Sequence, residues 1–297
     1  MFRRMILGLF LVAVCTCFAF ATDSAAKPNV LFIATDDLRV ELGCYGGTVV
    51  KSPNIDRLAA RGVLFSRAYC QQALCNPSRA SLLSGLRPDA IGVTDLKVHI
   101  RDKRKDLVTL PQLFKLSGYH TQGIGKIFHN WHLTKYKDEK LSWSAPPVYH
   151  YNTHYNDVAM VDGEKAISES EVPKTFRCDV PDNAYWDGQV AELAVRALQE
   201  RAEDDKRPFF LAVGFWKPHL PFNAPKRYWD LYSPDEIGLP PNLNSPKDMP
   251  AIAMHEGAEL TSAFRGKITD EETLVLRHGY YAAVSYVDAQ LGKILDE

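Results

Sequence analysis

The stretch Asn29-Val30-Leu31-Phe32-Ile33-Ala34-Thr35 carries an unbroken apolar centre with no polar face. A half-exposed strand alternates apolar and polar residues, so such a run reads as a central strand buried on both faces. Strands of this kind sit in parallel sheets covered by helices, which sets an α/β expectation for the chain. Arg207-Pro208-Phe209-Phe210-Leu211-Ala212-Val213-Gly214-Phe215 repeats the pattern, and Tyr119 to Ile124 reads as a further strand. The first run ends in Asp36-Asp37. Open α/β sheets bind ligands at the carboxyl ends of their strands, where adjacent carboxylates are costly unless a cation neutralises them. Hard divalent ions take carboxylate oxygens, so Asp36 and Asp37 are expected to face Ca²⁺ or Mg²⁺.

Helical signals fill the intervals. Ser52 to Gly62 reads as a capped amphipathic helix ending at glycine, and Thr109 to Ser117 as another closed by Gly118. From Tyr185 to Ala202 the residues Val190, Leu193, Ala194, Ala197 and Leu198 form one apolar face. Asp270 to Glu297 does the same through Leu274, His278, Tyr281, Val284, Ser285, Val287, Asp288 and Leu291. Val63 to Tyr69 is expected as a strand or extended lead. Trp131 to Pro181 has no clean periodicity and reads as an insertion lining a pocket. The proline-rich stretch Pro218 to Pro250 reads as a surface excursion. Gly43 to Gly47 lacks phosphate-loop spacing. There is no internal repeat and no linker, so one domain is expected.

One short segment concentrates chemistry: Leu74-Cys75-Asn76-Pro77-Ser78-Arg79, followed by Ala80 to Ser84 and Gly85-Leu86-Arg87-Pro88. Pro77 suits a first helical turn, Asn76 suits a cap, and Gly85 ends the helix. Residues four apart share a face, which puts Arg79 on the side of Cys75. Free N–H groups of a first turn favour an anion there. A thiol, a cation and a helix start converge.

Balanced charge, 35 basic against 36 acidic residues, leaves no electrostatic footprint for nucleic acid. Arg3 and Arg4 followed by apolar Met5 to Phe20 and by Ala19-Phe20-Ala21 read as a signal peptide over residues 1–21. The run is short for a membrane span, so no stable span is expected after cleavage. The chain is expected to be exported, to a periplasm, the medium or another extracytoplasmic compartment. Cys44, Cys70, Cys75 and Cys178 then remain. That even number allows two disulfides, but a reactive Cys75 would leave three.

Lys126 with His129, and Lys217 with His219, stand at the ends of the second and third expected strands. Together with Asp36-Asp37 and the complete Cys75-Asn76-Pro77-Ser78-Arg79 signature they resemble the sulfatase family. Ser84-Gly85-Leu86-Arg87-Pro88, Gly125-Lys126 and the helix Tyr280 to Asp288 extend the resemblance over nearly the whole mature chain. The spacing Lys126-x-x-His129 and the stretch Phe215-Trp216-Lys217-Pro218-His219-Leu220-Pro221-Phe222 are most similar to the iduronate-2-sulfatase branch. Arylsulfatase-type members usually carry Lys-x-His instead.

The resemblance implies an alkaline phosphatase-like fold: a large mixed, mostly parallel sheet flanked by helices on both faces. It implies hydrolysis of sulfate monoesters, with 2-O-sulfate on a uronic acid of a sulfated polysaccharide expected from the branch. A formylglycine-generating or sulfatase-maturing enzyme would oxidise Cys75 to formylglycine. One hydroxyl of the aldehyde hydrate attacks sulfur and expels the sugar alcohol, and the other then collapses to release sulfate. By the same resemblance Asp36, Asp37 and the modified Cys75 hold a divalent metal, Ca²⁺ before Mg²⁺. Arg79 and His129 hold the hydrate, Lys126 and His219 meet the sulfate group, and Lys217 reaches the substrate's carboxylate. The family's Asp-Asn-Gly or Asp-His-Gly turn is absent from the sequence. Residues 22–297 are therefore expected to be the N-terminal part of a catalytic domain, truncated before its later strands and slow or inactive alone. The alternatives are a phosphodiester or phosphonate hydrolase of the same superfamily and a catalytically silent, carbohydrate-binding relative.

Overall fold

A computed structural model of the chain describes residues 27–129, 139–148, 157–203, 207–254 and 257–297. The signal-peptide expectation for residues 1–21, and part of the Trp131 to Pro181 stretch, lie outside them.

The strands are β1 (Val30–Asp36), β2 (His120–Gly125), β3 (Met160–Val161), β4 (Glu164–Lys165), β5 (Thr175–Cys178), β6 (Phe209–Pro218) and β7 (Phe222–Pro225). The helices are α1 (Pro53–Arg61), α2 (Cys75–Ser84), α3 (Pro88–Ile91), α4 (Ile100–Lys103), α5 (Leu110–Leu116), α6 (Trp186–Glu203), α7 (Lys226–Trp229), α8 (Ala258–Thr261) and α9 (Asp270–Asp296). The three expected strands become one parallel sheet in the order β1-β6-β2. Phe32 pairs with Ala212 across the first interface and Gly123 with Ala212 across the second. The expected central strand, β1, is an edge strand among the described residues and only half-buried, whereas β6 occupies the centre and is buried along nearly its whole length. A strand with one neighbour leaves its other edge uncovered, whatever its side chains.

Alternation along these strands feeds two cores. Leu31 and Ile33 of β1, with Leu211, Val213 and Phe215 of β6, pack with Val190 and Ala194 of α6 and Val287 and Leu291 of α9. Val30 and Phe32, with Phe210 and Ala212, face Ala80, Leu83, Ile91 and Phe114 on the other side. Helices on both faces of a parallel sheet are what doubly apolar strands require.

α9 begins in a capping box: Thr269 accepts from the Glu272 N–H at 3.2 Å, and the Glu272 carboxylate accepts from the Thr269 N–H at 2.8 Å. Farther along, Asp288 accepts from the Asn54 and Ile55 N–H groups at 3.2 and 2.8 Å. The first turn of α1 is thus satisfied by a residue 233 positions away, and Ser52 makes no cap bond.

The stretch after Pro218 departs from expectation. Rather than a surface excursion throughout, β7 pairs with β5, and Tyr228, Trp229 and Tyr232 are buried against α9. Four large aromatic side chains between Phe222 and Tyr232 outweigh the prolines around them, since each buries substantial area. Val63 to Tyr69 forms an extended, exposed lead rather than a strand.

Candidate active site

The carboxyl ends of β1, β2 and β6 lie side by side, and α2 starts against them. A close approach makes this fit: Gly125 adopts a left-handed φ of 73°, and a Cβ on Gly214 would stand 1.8 Å from the Lys126 carbonyl oxygen. Without glycine at both positions β2 could not deliver Lys126 across the end of β6.

α2 begins at Cys75 itself, one position before the expected cap. Asn76 does not cap it. Its carboxamide donates instead to the carbonyls of Asp95 and Val98, at 2.7 and 2.8 Å, tying the helix start to the following loop. Gly85 ends the helix in the left-handed conformation, as expected.

Arg79, one turn on, is buried and fully engaged. It donates to Asp36 at 2.9 Å and to the carbonyls of Lys126 and Ile127 at 2.6 and 3.2 Å. The Lys126 ammonium, wholly buried, meets the other oxygen of Asp36. Burial alone would raise the Asp36 carboxyl, but Arg79 and Lys126, with His219 beyond them, hold it well below the ordinary carboxylate range. Burial pulls Lys126 down, opposed by Asp36. Burial also pushes the Cys75 thiol up; Lys126 and Arg79 act against that, and Asp36 and Asp37 with it. The thiol therefore feels all four charges of the cluster.

Asp37 follows in a left-handed backbone conformation with φ of 58°. Desolvation and then the Asp36 charge raise its carboxyl. Its carbonyl accepts from the Tyr280 hydroxyl at 2.9 Å, and its carboxylate lies 3.7 Å from His219 Nε2. His219 Nδ1 stands 2.7 Å from the Leu220 carbonyl, which only accepts, so Nδ1 carries the proton. Nε2 then points to Asp37 and, at 3.5 Å, to Glu259. His129 shares a water-sized cavity of about 10 Å³ with Arg79, Asn76 and His99.

Lys217 stands differently. Its ammonium is buried and donates to the Pro221 carbonyl at 2.8 Å and to Asn223 Oδ1 at 3.0 Å, with Asp157 at 3.2 Å and the His219 carbonyl at 3.4 Å. These partners lie in the loop that carries His219 and in the scaffold beneath it. Beneath β6, Asp187 accepts from the Trp216 and Lys217 N–H groups at 2.9 and 2.7 Å. Burial pushes the Asp187 carboxyl up to about 7.

Asp36 and Asp37 fit a hard cation in kind, being carboxylates at a strand end. They do not complete a shell, since no group of three or more His, Cys, Asp and Glu side chains is gathered for a metal among the described residues. Cys44, Cys70, Cys75 and Cys178 are all free thiols in the structure. No helix of the described residues is long and apolar enough to cross a membrane.

A family model described as Sulfatase matches residues 28–297. The chain belongs to the sulfatase family. It is 36% identical to iduronate 2-sulfatase of Mus musculus over 94% of its length, and 36% identical to that of Homo sapiens over 97%. These alignments cover 54% and 55% of the two relatives, so the chain spans about half the length of the curated sulfatases it matches. The fold is shared with the phosphonate monoester hydrolase of Agrobacterium radiobacter, at a TM-score of 0.64 and 22% identity, over 91% of this chain and 59% of that one. The sulfatase fold thus accounts for the sheet and its flanking helices.

Glu259, Tyr280 and Asp157 were not legible as site neighbours. Each meets its partner across at least 40 residues, and a lone polar pairing leaves no periodic trace.

Proposed function

We propose that the protein hydrolyses sulfate monoesters of a polysaccharide, with 2-O-sulfate on a uronic acid as the preferred ester. The observation that carries the reading is the single cluster of Cys75, Arg79, Lys126 and Asp36 at the strand ends. The 36% identity to iduronate 2-sulfatases supports the choice of sugar.

Cys75 is the position at which a maturation enzyme would introduce formylglycine, whose hydrate supplies the nucleophilic oxygen. Asp36 and Asp37 would hold a divalent ion, Ca²⁺ by preference, which withdraws charge from sulfate oxygens when bound. Arg79 fixes Asp36 and the β2 end, and with His129 it orients the group at position 75. Lys126 lies beside Cys75 and Asp36, placed to stabilise charge on the sulfate once the carboxylate turns to a cation. His219 presents Nε2, the nitrogen that protonates the leaving oxygen when the ring is an imidazolium. Lys217, with its donors committed inward, acts as a positioning residue for the His219 loop and does not reach the sugar. Export to an extracytoplasmic compartment would bring the protein to such a polymer.

Binding tests the reading without depending on turnover. A 2-O-sulfated uronate disaccharide should bind about tenfold more tightly than its desulfated form, measured by calorimetry. Equal affinities would contradict the assignment. Formylglycine-bearing protein should release sulfate from a uronate sulfate ester faster than it cleaves a matched phosphonate ester. The reverse preference would move it to the phosphonate-cleaving branch of the superfamily.

A further inference from the structure

Neighbouring residues of a strand point to opposite faces. Two adjacent carboxylates therefore meet one cation only where the chain leaves strand geometry between them. The end of β1 leaves it: the register with β6 slips between Ala34 and Asp36, and Asp37 takes its left-handed φ of 58°. A residue with a side chain adopts that conformation at a cost, and it persists where the surroundings hold it. The Asp36 carboxylate meets Arg79 and Lys126, and the Asp37 carboxylate lies 3.7 Å from His219.

The Tyr280 hydroxyl spans the turn. It donates to the Asp37 carbonyl at 2.9 Å and accepts from the Arg39 N–H at 2.8 Å, from 241 positions further along the chain. The carbonyl only accepts and the N–H only donates, so the direction of both bonds is fixed. Burial pushes the hydroxyl well above its ordinary range, so it keeps the proton it donates. How far it reaches depends on the packing of α9. A Cβ on Gly279 would stand 2.7 Å from the Trp229 ring and 3.0 Å from Phe222, so glycine lets α9 lie close on α7 and β7. The Tyr280 ring then meets Phe222 edge to face, with centroids 5.5 Å apart. Tyr281, the next residue, sends its hydroxyl elsewhere, to Arg277 and, at 3.4 Å, to Glu41.

We propose that Tyr280 is a positioning residue for the metal site, its hydroxyl clamping the Asp37 turn so that Asp36 and Asp37 are presented together to one cation. The inference rests on the assignment of a divalent ion to those two carboxylates. Ligands that are already held lose less freedom on binding, and the rigidity of a site raises its calcium affinity.

The test is nuclear magnetic resonance on the 297-residue chain, with Ca²⁺ alone as the probe and the Asp37 and Arg39 backbone amides as reporters. Tyr280→Phe keeps the ring against Phe222 and removes only the hydroxyl. In that variant the Arg39 N–H should exchange with solvent about tenfold faster, and Ca²⁺ should bind about tenfold more weakly. Tyr281→Phe should leave both unchanged. In the unsubstituted chain, saturating Ca²⁺ should slow Arg39 exchange by the same factor, because coupled equilibria act on each other equally. Ca²⁺ affinity that is unchanged in Tyr280→Phe, or weakened as much in Tyr281→Phe, would overturn the clamp and leave the metal assignment intact. Arg39 exchange that Ca²⁺ does not slow in the unsubstituted chain would overturn it as well, whether or not the variant folds. No response to Ca²⁺ at Asp37 in the unsubstituted chain would overturn the metal assignment and the clamp together.

Discussion

Lys126 and Lys217 end neighbouring strands of one sheet, and both are buried almost completely. Their surroundings differ. Lys126 meets Asp36, a carboxylate it shares with Arg79 and to which we assign a metal. Lys217 is enclosed by Asp157, Asn223 and the Pro221 carbonyl, groups with no second cation among their described partners. The first lysine has an alternative arrangement open to it, because Asp36 keeps Arg79 if Lys126 turns to a ligand. The second does not. A lysine at a strand end is therefore not in itself a substrate contact; what its carboxylate would lose on release decides.

The sharpest test of this contrast is truncation. Lys217→Met should cost about 3–5 kcal/mol in urea unfolding, because Asp157 would remain buried without its cation. A loss no greater than that of Lys126→Met would break the distinction.

Next in size is a pH effect centred on Asp187, which lies under the Lys217 loop and faces Asp157 and Lys217. Its folded pKa, raised to about 7 by burial, means that the folded chain binds a proton that the unfolded chain releases near pH 4. Its contribution is present in full below about pH 4 and is lost as pH rises to about 7. The stability of the unsubstituted chain relative to Asp187→Asn should fall across that window by a few kcal/mol. A flat difference would show that Asp187 is ionised throughout.

Lys126→Met should change stability by about 1 kcal/mol, since Arg79 continues to neutralise Asp36. Yet it should abolish the preference for the sulfated disaccharide in the calorimetric assay. Retained preference would remove Lys126 from the sulfate contact. Thr269→Ala, far from both lysines in the chain, sets the scale of a purely local loss at about 1 kcal/mol or less. A larger loss would mean that the capping box supports more than the first turn of α9.

How much of this was legible follows from what leaves a pattern. The runs at Val30 and Arg207 were readable because a strand buried on both faces is unbroken and apolar, and the helical faces at Val190 and Leu274 because one-sided burial is periodic. Cys75, Arg79 and Asp36-Asp37 were readable because their spacing is a signature. The Phe222 to Tyr232 aromatics were hidden among prolines, and Asn76 looked like a cap because local sequence does not reveal the Asp95 and Val98 carbonyls. The inward partners of Lys217 were hidden for the same reason: Asp157 lies 60 positions earlier, inside a stretch with no readable period.

The most direct measurement concerns position 75. Protein from a host that contains a formylglycine-generating enzyme should be digested with trypsin, and the peptide Ala68 to Arg79 sequenced by mass spectrometry. An aldehyde at position 75 and an intact thiol at Cys70 in the same peptide is the expected result. An unmodified thiol at both positions would contradict the assignment of Cys75 as the precursor of the nucleophile.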